Sequence, residues 1–430
     1  MSPTRRILVA MWDGGGTVPP ELAVVRGLVA RGHDVTVIAD AVLADEVAAA
    51  GAEHVPWTTA PQHVTRDPQD DFVKDWEAKS PPAMFGRFRD RFVAGPAGRF
   101  ADDVAAELRR RHADVVVSNL MVLGAQVGAE GAGVPVVLLN PNVYPVSGTG
   151  LPPLGMGWNA ARGPLGRARD RAFFHVMERT FDAGLPALNA AREAHGLAPL
   201  AHTLDQIRDT PTLVLMTPEF DFPASFPVHV RYGGSQLDDP AWSEPWMPPP
   251  GDDPLVLVGM SSTYQAQEPE LRRVAAALGT LPVRGVITAG PTLDLAGLDA
   301  PANVQVVASA PHSEVLRHAA AVVTHGGHGT VVKALAADVP LLVLPMGRDQ
   351  GENAARVVAH GAGLRLKRSA KEAAIARAVR RLLDEPEFGR AAARLGAAIR
   401  AGAGPAVAVE TIEAAAAASP NGEPEVAATG

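Results

Sequence analysis

Cysteine is absent from the 430-residue sequence. Its absence excludes disulfide bonds, thiolate nucleophiles, iron–sulfur clusters and cysteine zinc sites, and it fits a reducing compartment. Basic residues number 39 against 47 acidic ones, so the chain lacks the basic excess of a nucleic-acid or anionic-membrane binder. No apolar run approaches the roughly 18 residues of a membrane span. The apolar stretch at the N-terminus is too short for a signal peptide. We therefore expect a soluble, cytoplasmic protein.

Apolar residues are plentiful, at 47% of the chain, and the length is about three times the prior for one domain. Short apolar runs alternate with stretches of helical spacing, first at residues 7–11, 35–39, 115–117 and 136–139. The alternation restarts at residues 255–258, 284–288, 304–307, 321–324 and 341–344. Alternating strands and helices predict an α/β fold with parallel sheets covered on both faces.

Proline is densest in residues 238–254, where six prolines exclude regular structure. We interpret this segment as a linker between two Rossmann-like domains that face each other across a cleft. The predicted boundaries are residues 1–237 for the first domain, 238–253 for the linker, 254–400 for the second domain, and 401–430 for a terminal helix and a disordered tail. We also expect the terminal helices to cross back to the first domain.

Two stretches break the strand–helix rhythm, at residues 57–100 and 140–164, and we expect both to be irregular. Long insertions at the carboxyl ends of parallel strands commonly form ligand-binding loops. Aromatic residues concentrate here. They are more often ordinary core, but part of this set is a plausible apolar wall for a ligand: Trp76, Phe85, Phe88, Phe92, Tyr144, Trp158, Phe173 and Phe174.

The most informative motif runs through residues 322–330 and contains His325, Gly327, Gly329 and Thr330. It predicts a strand, a glycine turn and a helix that opens at residues 329–330, where backbone N–H groups and the helix dipole favour a pyrophosphate. The His325 ring and the Thr330 hydroxyl add donors. After the next strand, Asp349 and Gln350 offer acceptors for sugar hydroxyls. A turn that merely needs glycine is the alternative.

The order of these residues resembles the signature of the UDP-glycosyltransferase superfamily, in particular bacterial enzymes that glycosylate macrolides and other natural products. The resemblance implies a GT-B fold and transfer of a sugar, with inversion and without metal, from a dTDP- or UDP-sugar to an apolar hydroxylated acceptor. It implies no further cofactor. His325 and Thr330 would bind the diphosphate, Asp349 and Gln350 the sugar. By the same resemblance, Ser262 and Thr263 would line the phosphate side and Ala310 would lie by the nucleobase.

Three positions depart from the family pattern. Thr17 stands where members commonly carry a histidine base, and Asn119 stands where an aspartate usually orients it. A threonine hydroxyl is no general base near neutral pH. Lys333 replaces an acidic ribose contact. The resemblance therefore leaves both the proton acceptor and ribose recognition unassigned.

Asp13 is the substitute base that we infer, because it follows the first strand beside the flexible glycines at positions 14–16. A carboxylate at the carboxyl end of a strand can accept a proton from a ligand in the cleft. The alternative is that Asp13 only caps the turn or the following helix through its side chain.

Other functions stay open at this point. His325 and His328 with Asp349 could be read as a metal site, although we expect none. The glycine turn at residues 14–16 with Asp40 allows dinucleotide binding, but Pro19 occupies the place of the third glycine. Transfer to an activated aromatic carbon and a catalytically silent binding protein are two further readings. The sugar, the nucleobase, the acceptor and the oligomeric state are not readable from the sequence.

Overall fold

The computed structural model describes residues 3–293 and 299–418. The tail that we expected to be disordered, residues 419–430, lies outside the described residues. Two separate parallel sheets of seven and six strands organise the chain. We call the elements around them the first lobe and the second lobe. Two facing parallel-sheet α/β domains confirm the predicted fold class.

The first sheet has the strand order β3-β2-β1-β4-β5-β6-β7. Ile7 of the first strand pairs with Val35 on one side and Val115 on the other, so the order reverses there. Ligands bind at such a switch point, beyond the carboxyl ends of the strands. The strands of the first sheet are β1 (Arg6–Ala10), β2 (Asp34–Ala39), β3 (Glu53–Pro56), β4 (Val115–Asn119), β5 (Val136–Asn140), β6 (Thr212–Val214) and β7 (Val230–Tyr232).

Eight helices between residues 18 and 208 accompany this sheet, and β4 and β5 are buried along their whole length. The helices are α1 (Val18–Ala30), α2 (Ala44–Ala49), α3 (Pro81–Phe88), α4 (Ala97–Arg110), α5 (Leu123–Gly131), α6 (Gly163–Asp182), α7 (Leu185–Ala194) and α8 (Asp205–Arg208).

Helical structure occupies much of the stretch that we expected to be irregular at residues 57–100, so that expectation was wrong. Besides α3 and the start of α4, a π-helical turn covers Arg89–Val93. Prolines stand at the first positions of α3, where proline is compatible with a helix. Phe85, Phe88 and Phe92 then follow at helical spacing. Two consecutive prolines thus begin a helix here.

The second sheet has the order β10-β9-β8-β11-β12-β13, again all parallel, with its reversal between β8 and β11. Its strands are β8 (Leu255–Gly259), β9 (Arg284–Thr288), β10 (Val304–Val307), β11 (Ala319–Thr324), β12 (Leu341–Val343) and β13 (Gly363–Arg365). Its helices are α9 (Glu268–Leu278), α10 (His312–Val315), α11 (His328–Ala336), α12 (Gln350–Ala359), α13 (Glu372–Asp384) and α14 (Pro386–Ala401).

The last described helix, α15 (Ala406–Ala417), returns to the first lobe. Val409 and Ile412 are buried in the same apolar cluster as Leu22 and Val25 of α1. Glu413 accepts hydrogen bonds from Arg31, and its carboxylate contacts the His33 ring at 2.8 Å. The expected crossing of the terminal helix is confirmed, and it fixes the second lobe against the first.

Residues 238–253, all of them described, contain no helix or strand. Within the described ranges, no helix is both long enough and apolar enough to span a bilayer.

Candidate active site

A cleft separates the two lobes at the carboxyl ends of both sheets, and its space, open solvent included, is about 1970 Å³. The switch points of the two sheets therefore face the same volume. The first lobe contributes residues of the turn after β1 (12–20) and of the loop after β5 (140–145). The second lobe contributes residues of the loops after β8 (260–265), β10 (308–310), β11 (325–330) and β12 (348–350).

The glycine turn after β11 enters the cleft as the sequence predicts, but α11 begins at His328, slightly earlier than expected. Gly326 has a φ of +99°, and a Cβ there would lie 2.7 Å from Val343 Cγ1. The N–H of Val331 donates to the carbonyl of Gly327 at 3.1 Å. The preceding N–H groups have no partner within the helix, so this end of α11 is suited to an anion.

His325 lies 7% exposed at the wall of the cleft. Burial lowers the pKa of His325 to about 4, opposed by a backbone hydrogen bond with Gly259. A neutral imidazole has one N–H, which the Gly259 carbonyl accepts, so only the protonated ring has a second N–H that it can donate to an anion. Thr330 and Gly329 line the cleft one turn further along.

Ser262 and Thr263 lie opposite the glycine turn of the first lobe. Gly15 has a φ of +67°, and a Cβ there would come within 2.8 Å of Ser262 Oγ and 2.6 Å of Thr263 Cγ2. The two lobes are thus close enough at this point that only glycine fits. This contact explains the glycine at position 15 by packing between the lobes.

Arg348, in the loop after β12, also connects the two lobes. It is paired with Asp75 of the first lobe through Nε to Oδ2 at 2.7 Å and Nη2 to Oδ1 at 2.9 Å. Its third donor, Nη1, reaches Thr263 Oγ1 at 2.8 Å. The sequence analysis missed this residue, since its partner lies 273 positions away.

Asp349 and Gln350 both line the cleft, but they differ in their freedom to bind a ligand. Gln350 Oε1 accepts from the N–H groups of Met346 and Gly347, and its Nε2 donates to Gln265 Oε1 at 3.0 Å. Its amide therefore holds the loop in place. Asp349 accepts from Asn353 Nδ2 at 2.8 Å. Burial raises the pKa of Asp349, partly offset by the neighbouring His328.

The linker forms part of the cleft wall beside Ala310. Trp242 lines the cleft, and its carbonyl accepts from Ser309 Oγ at 3.3 Å. Lys333, at the position of the family's acidic ribose contact, donates from Nζ to Asp239 Oδ1 at 2.8 Å. The sequence analysis treated this segment only as a connection, because its side-chain contacts become visible only in the folded chain.

Asp13 has both carboxylate oxygens occupied. Oδ1 accepts from the N–H of Gly15 at 3.0 Å, and Oδ2 accepts from Arg66 Nε at 3.2 Å. This is the turn-capping geometry of the alternative interpretation. The hypothesis that Asp13 takes a proton stays a prediction. Asp40, which kept dinucleotide binding open, is 1% exposed and accepts from the N–H of Asp13 at 2.9 Å.

Thr17 lines the cleft, whereas Asn119 is buried at the end of β4 and contacts a residue that no local pattern in the sequence marks. Asn119 Nδ2 donates to Glu21 Oε1. Glu21 is 1% exposed on α1, one turn beyond Thr17. Burial raises the pKa of Glu21 to about 8, partly offset by the hydrogen bond from Asn119. Because Asn119 is 98 positions away, nothing local in the sequence indicates this pair.

The shifted pKa of Glu21 predicts a pH-dependent stability. The folded chain keeps a proton that the unfolded chain releases above about pH 4.5, so this group's contribution to stability is lost between about pH 4.5 and about pH 8. Glu21→Gln has no such proton. Denaturant unfolding should show the variant gaining stability relative to wild type as the pH rises through this window. If the unfolding free energies of wild type and variant change in parallel with pH, the raised pKa of Glu21 is contradicted.

Apolar side chains line the first-lobe side of the cleft. Phe85 and Phe88 of the predicted aromatic set line it, together with Met84 and Phe181. Phe92, by contrast, is fully buried behind Trp12, with ring centroids 4.1 Å apart. Part of the set thus forms a wall and part forms core.

Histidines 325 and 328 do not form a cluster with other ligands. Within the described residues, no three His, Asp or Glu side chains are grouped as metal ligands would be. His328 instead packs toward the first lobe, with Nε2 at 3.4 Å from the carbonyl of Leu215.

Comparison with known proteins places the chain in a family. Residues 274–415 match the model of the erythromycin biosynthesis protein CIII-like C-terminal domain. The chain is 33% identical over 403 residues to 4'-demethylrebeccamycin synthase of Lentzea aerocolonigenes, covering 91% of this chain and 94% of that protein. It is 29% identical over 418 residues to oleandomycin glycosyltransferase of Streptomyces antibioticus, covering 93% and 88%.

A solved structure agrees with these relatives. The crystal structure of the glycotransferase of kitacinnamycin superposes with a TM-score of 0.74 at 25% identity, covering 96% of this chain and all of that one. The two lobes, the cleft between them and the sequence similarity thus support the same family assignment. The chain belongs to the UDP-glycosyltransferase superfamily, among the bacterial GT-B glycosyltransferases of antibiotic and natural-product biosynthesis.

Proposed function

We propose that this glycosyltransferase moves a sugar from a dTDP- or UDP-sugar to an apolar hydroxylated natural product, with inversion and without a metal. The observation that carries the proposal is the start of α11, whose free N–H groups face the glycine turn of the first lobe across the cleft. Gly329 lies close to that turn, since a Cβ there would be 3.9 Å from the carbonyl of Gly16. A diphosphate in this place lies between the two lobes.

The donor is held by dipoles in this proposal. The N–H groups at the start of α11, the His325 ring and the Thr330 hydroxyl bind the diphosphate. Ser262 and Thr263, in the loop after β8, line the phosphate side. Asp349 accepts from hydroxyls of the sugar, and Gln350 keeps the loop that carries Asp349 in position. Ala310 and Trp242 form the wall against which the base of the nucleotide lies.

The reaction follows from this arrangement. The acceptor oxygen attacks the anomeric carbon, and the bond to the diphosphate breaks on the opposite face, which inverts the configuration. The leaving diphosphate gains charge as the bond breaks, and the fixed N–H donors of α11 stabilise that charge without reorganising. This charge stabilisation takes the place of a metal ion.

The apolar wall supports an acceptor with a flat or bulky apolar body. Phe85, Phe88 and Phe181 lie on the first-lobe side, opposite the donor loops. A hydrophobic ligand is favoured there because it removes apolar surface from water. The relative named 4'-demethylrebeccamycin synthase supports a natural product as the acceptor.

Product analysis tests the proposal. The protein is incubated with α-linked dTDP- and UDP-hexoses and a panel of aromatic and macrocyclic alcohols, with and without a chelator. We expect a β-linked product by NMR and the same rate in both conditions. A product of retained configuration, or activity lost on chelation and restored by Mn²⁺, would contradict inversion without metal.

Lys333 predicts weak discrimination between UDP and dTDP. Its ammonium has donors only and is already paired with Asp239, so the 2′-hydroxyl of a ribose finds no acceptor there. Calorimetry should give dissociation constants for UDP and dTDP that lie within about threefold of each other. Lys333→Gln supplies an amide oxygen without setting a second carboxylate against Asp239, and it should favour UDP by about 1 kcal/mol. A strong UDP preference in wild type, unchanged in the variant, would contradict this role.

A further inference from the structure

Three buried polar atoms without a hydrogen-bond partner lie where the first strand turns into α1. They are Trp12 Nε1, Thr17 Oγ1 and Glu21 Oε2. A Cβ on Gly14 would lie 2.6 Å from Thr17 Oγ1 and 3.0 Å from Trp12 Cε2, the atom bonded to Nε1. The Thr17 hydroxyl and the edge of the Trp12 indole thus both lie next to Gly14, which has no side chain.

Thr17 and Glu21 share one face of α1. The N–H of Glu21 lies 3.4 Å from the carbonyl of Thr17, which is helical register, and residues four apart stand above one another on a helix. Thr17 lines the cleft, whereas Glu21 lies beneath it. Of these two side chains, Thr17 is therefore the one that an acceptor in the cleft can reach.

Asn119 fixes the orientation of the Glu21 carboxyl. Its Oδ1 accepts from the N–H of Met121 at 2.9 Å, which leaves its Nδ2 to donate to Glu21 Oε1. Oε2 is left on the other side without a partner. Burial and the Asn119 amide account for the shift in the pKa of Glu21, and no charged side chain contributes to it.

A buried carboxyl with an unsatisfied oxygen costs stability, so packing alone gives no reason for it. Its pKa near 8 makes the carboxylate a much stronger base than an ordinary glutamate, and close to the optimum for proton transfer near neutral pH. Asp13, the other carboxyl at this turn, is already bound to Gly15 and Arg66.

We propose that Glu21 is the final proton acceptor of the transfer reaction and that Thr17 relays the proton to it. The inference rests on the proposed function. The acceptor oxygen forms its bond to the anomeric carbon, and the diphosphate leaves with the electron pair of the breaking bond. The acceptor proton passes to Thr17 Oγ1, and the Thr17 proton passes to Glu21 Oε2. The relay requires that Thr17 Oγ1 and Glu21 Oε2, which have no partner in the structure, form a hydrogen bond with each other when the acceptor binds.

Glu21→Gln tests the relay, because glutamine has the shape of the neutral acid and keeps an oxygen and a nitrogen at the same positions. With an aliphatic alcohol as acceptor, we expect kcat to fall by about 10²- to 10⁴-fold. The affinity for dTDP should not change. Glu107→Gln, at a buried glutamate of α4 that binds Arg110 outside the cleft, is the matched control and should keep the wild-type kcat.

Three further readouts separate a relay from a structural role. The kcat of the wild type should rise with pH toward about 8, and this dependence should disappear in Glu21→Gln. Thr17→Val should lower kcat, and the double variant should be no slower than the slower single one, because both residues serve one step. An acidic phenol, which ionises without help, should lose much less rate in either variant.

The outcomes distinguish this inference from the proposed function. If the wild type transfers no sugar from any donor, the proposed function fails and the relay falls with it. If the wild type is active and Glu21→Gln keeps its rate and its pH profile, the relay alone is overturned. A large loss in Asp13→Asn with none in Glu21→Gln would assign the proton to Asp13 instead.

Discussion

His325→Ala and Thr330→Val each weaken the binding of dTDP and UDP by about 1–3 kcal/mol, or about 5- to 150-fold, as we expect for a lost hydrogen bond to a charged group. Both side chains line the cleft at the start of α11. In the proposed donor site, the imidazole and the hydroxyl supply two of the hydrogen-bond donors to the diphosphate. Isothermal calorimetry with each nucleotide measures the effect directly.

The controls for this prediction are residues of the same types outside the cleft. Thr411→Val on α15 and His112→Ala, beyond the end of α4, should both bind the nucleotides with wild-type affinity. A change of less than twofold in both cleft variants would show that the diphosphate does not lie at this turn.

Asp221→Ala should cost about 3–5 kcal/mol of unfolding free energy, because it leaves a buried guanidinium without its counter-charge. The side chains of Arg356 and Asp221 are 1% and 0% exposed. Asp221 Oδ1 accepts from Arg356 Nε at 2.9 Å and from Nη2 at 2.6 Å, while Oδ2 accepts from Tyr232 Oη at 3.0 Å. The pair joins α12, which follows Asp349, to the loop after β6.

Replacing both partners separates the loss of the pair from the burial of a lone charge. Asp221→Leu combined with Arg356→Met should recover much of the stability lost in Asp221→Ala, since an apolar pair leaves no unpaired charge. Arg381→Gln, which breaks the exposed pair with Glu385, is the surface control and should change stability little. Denaturant unfolding measures all four proteins. An Asp221→Ala variant as stable as the surface control would contradict the prediction.

The alternation of strands and helices was predictable because it depends on local patterns. Apolar runs such as residues 7–11 and 255–258 are parallel strands buried on both faces, and their type is visible in a few consecutive residues. The glycine turn at 325–330 was predictable for the same reason. Local patterns failed at α3, where prolines that commonly mark turns stand at the first helical positions.

Contacts between distant parts of the chain were not predictable, because no local pattern marks the partners. Gln350 was expected to bind a sugar, but its amide holds its own loop and Gln265. Arg348 and Asp75 carry no local signal of their pairing. Glu21 was passed over because it reads as an ordinary acidic residue in the first turn of a helix, and only its burial against Asn119 sets it apart.

Thermal unfolding in the presence of dTDP or UDP tests most directly that the second lobe binds a nucleotide diphosphate at the start of α11. A ligand that binds only the folded state adds about 2.7 kcal/mol at a concentration of 100 times its Kd. We predict that the wild-type melting temperature rises with the logarithm of either nucleotide's concentration, and that the His325→Ala/Thr330→Val double variant needs far more ligand for the same rise. No rise with either nucleotide, or the same rise in the double variant, would contradict the account.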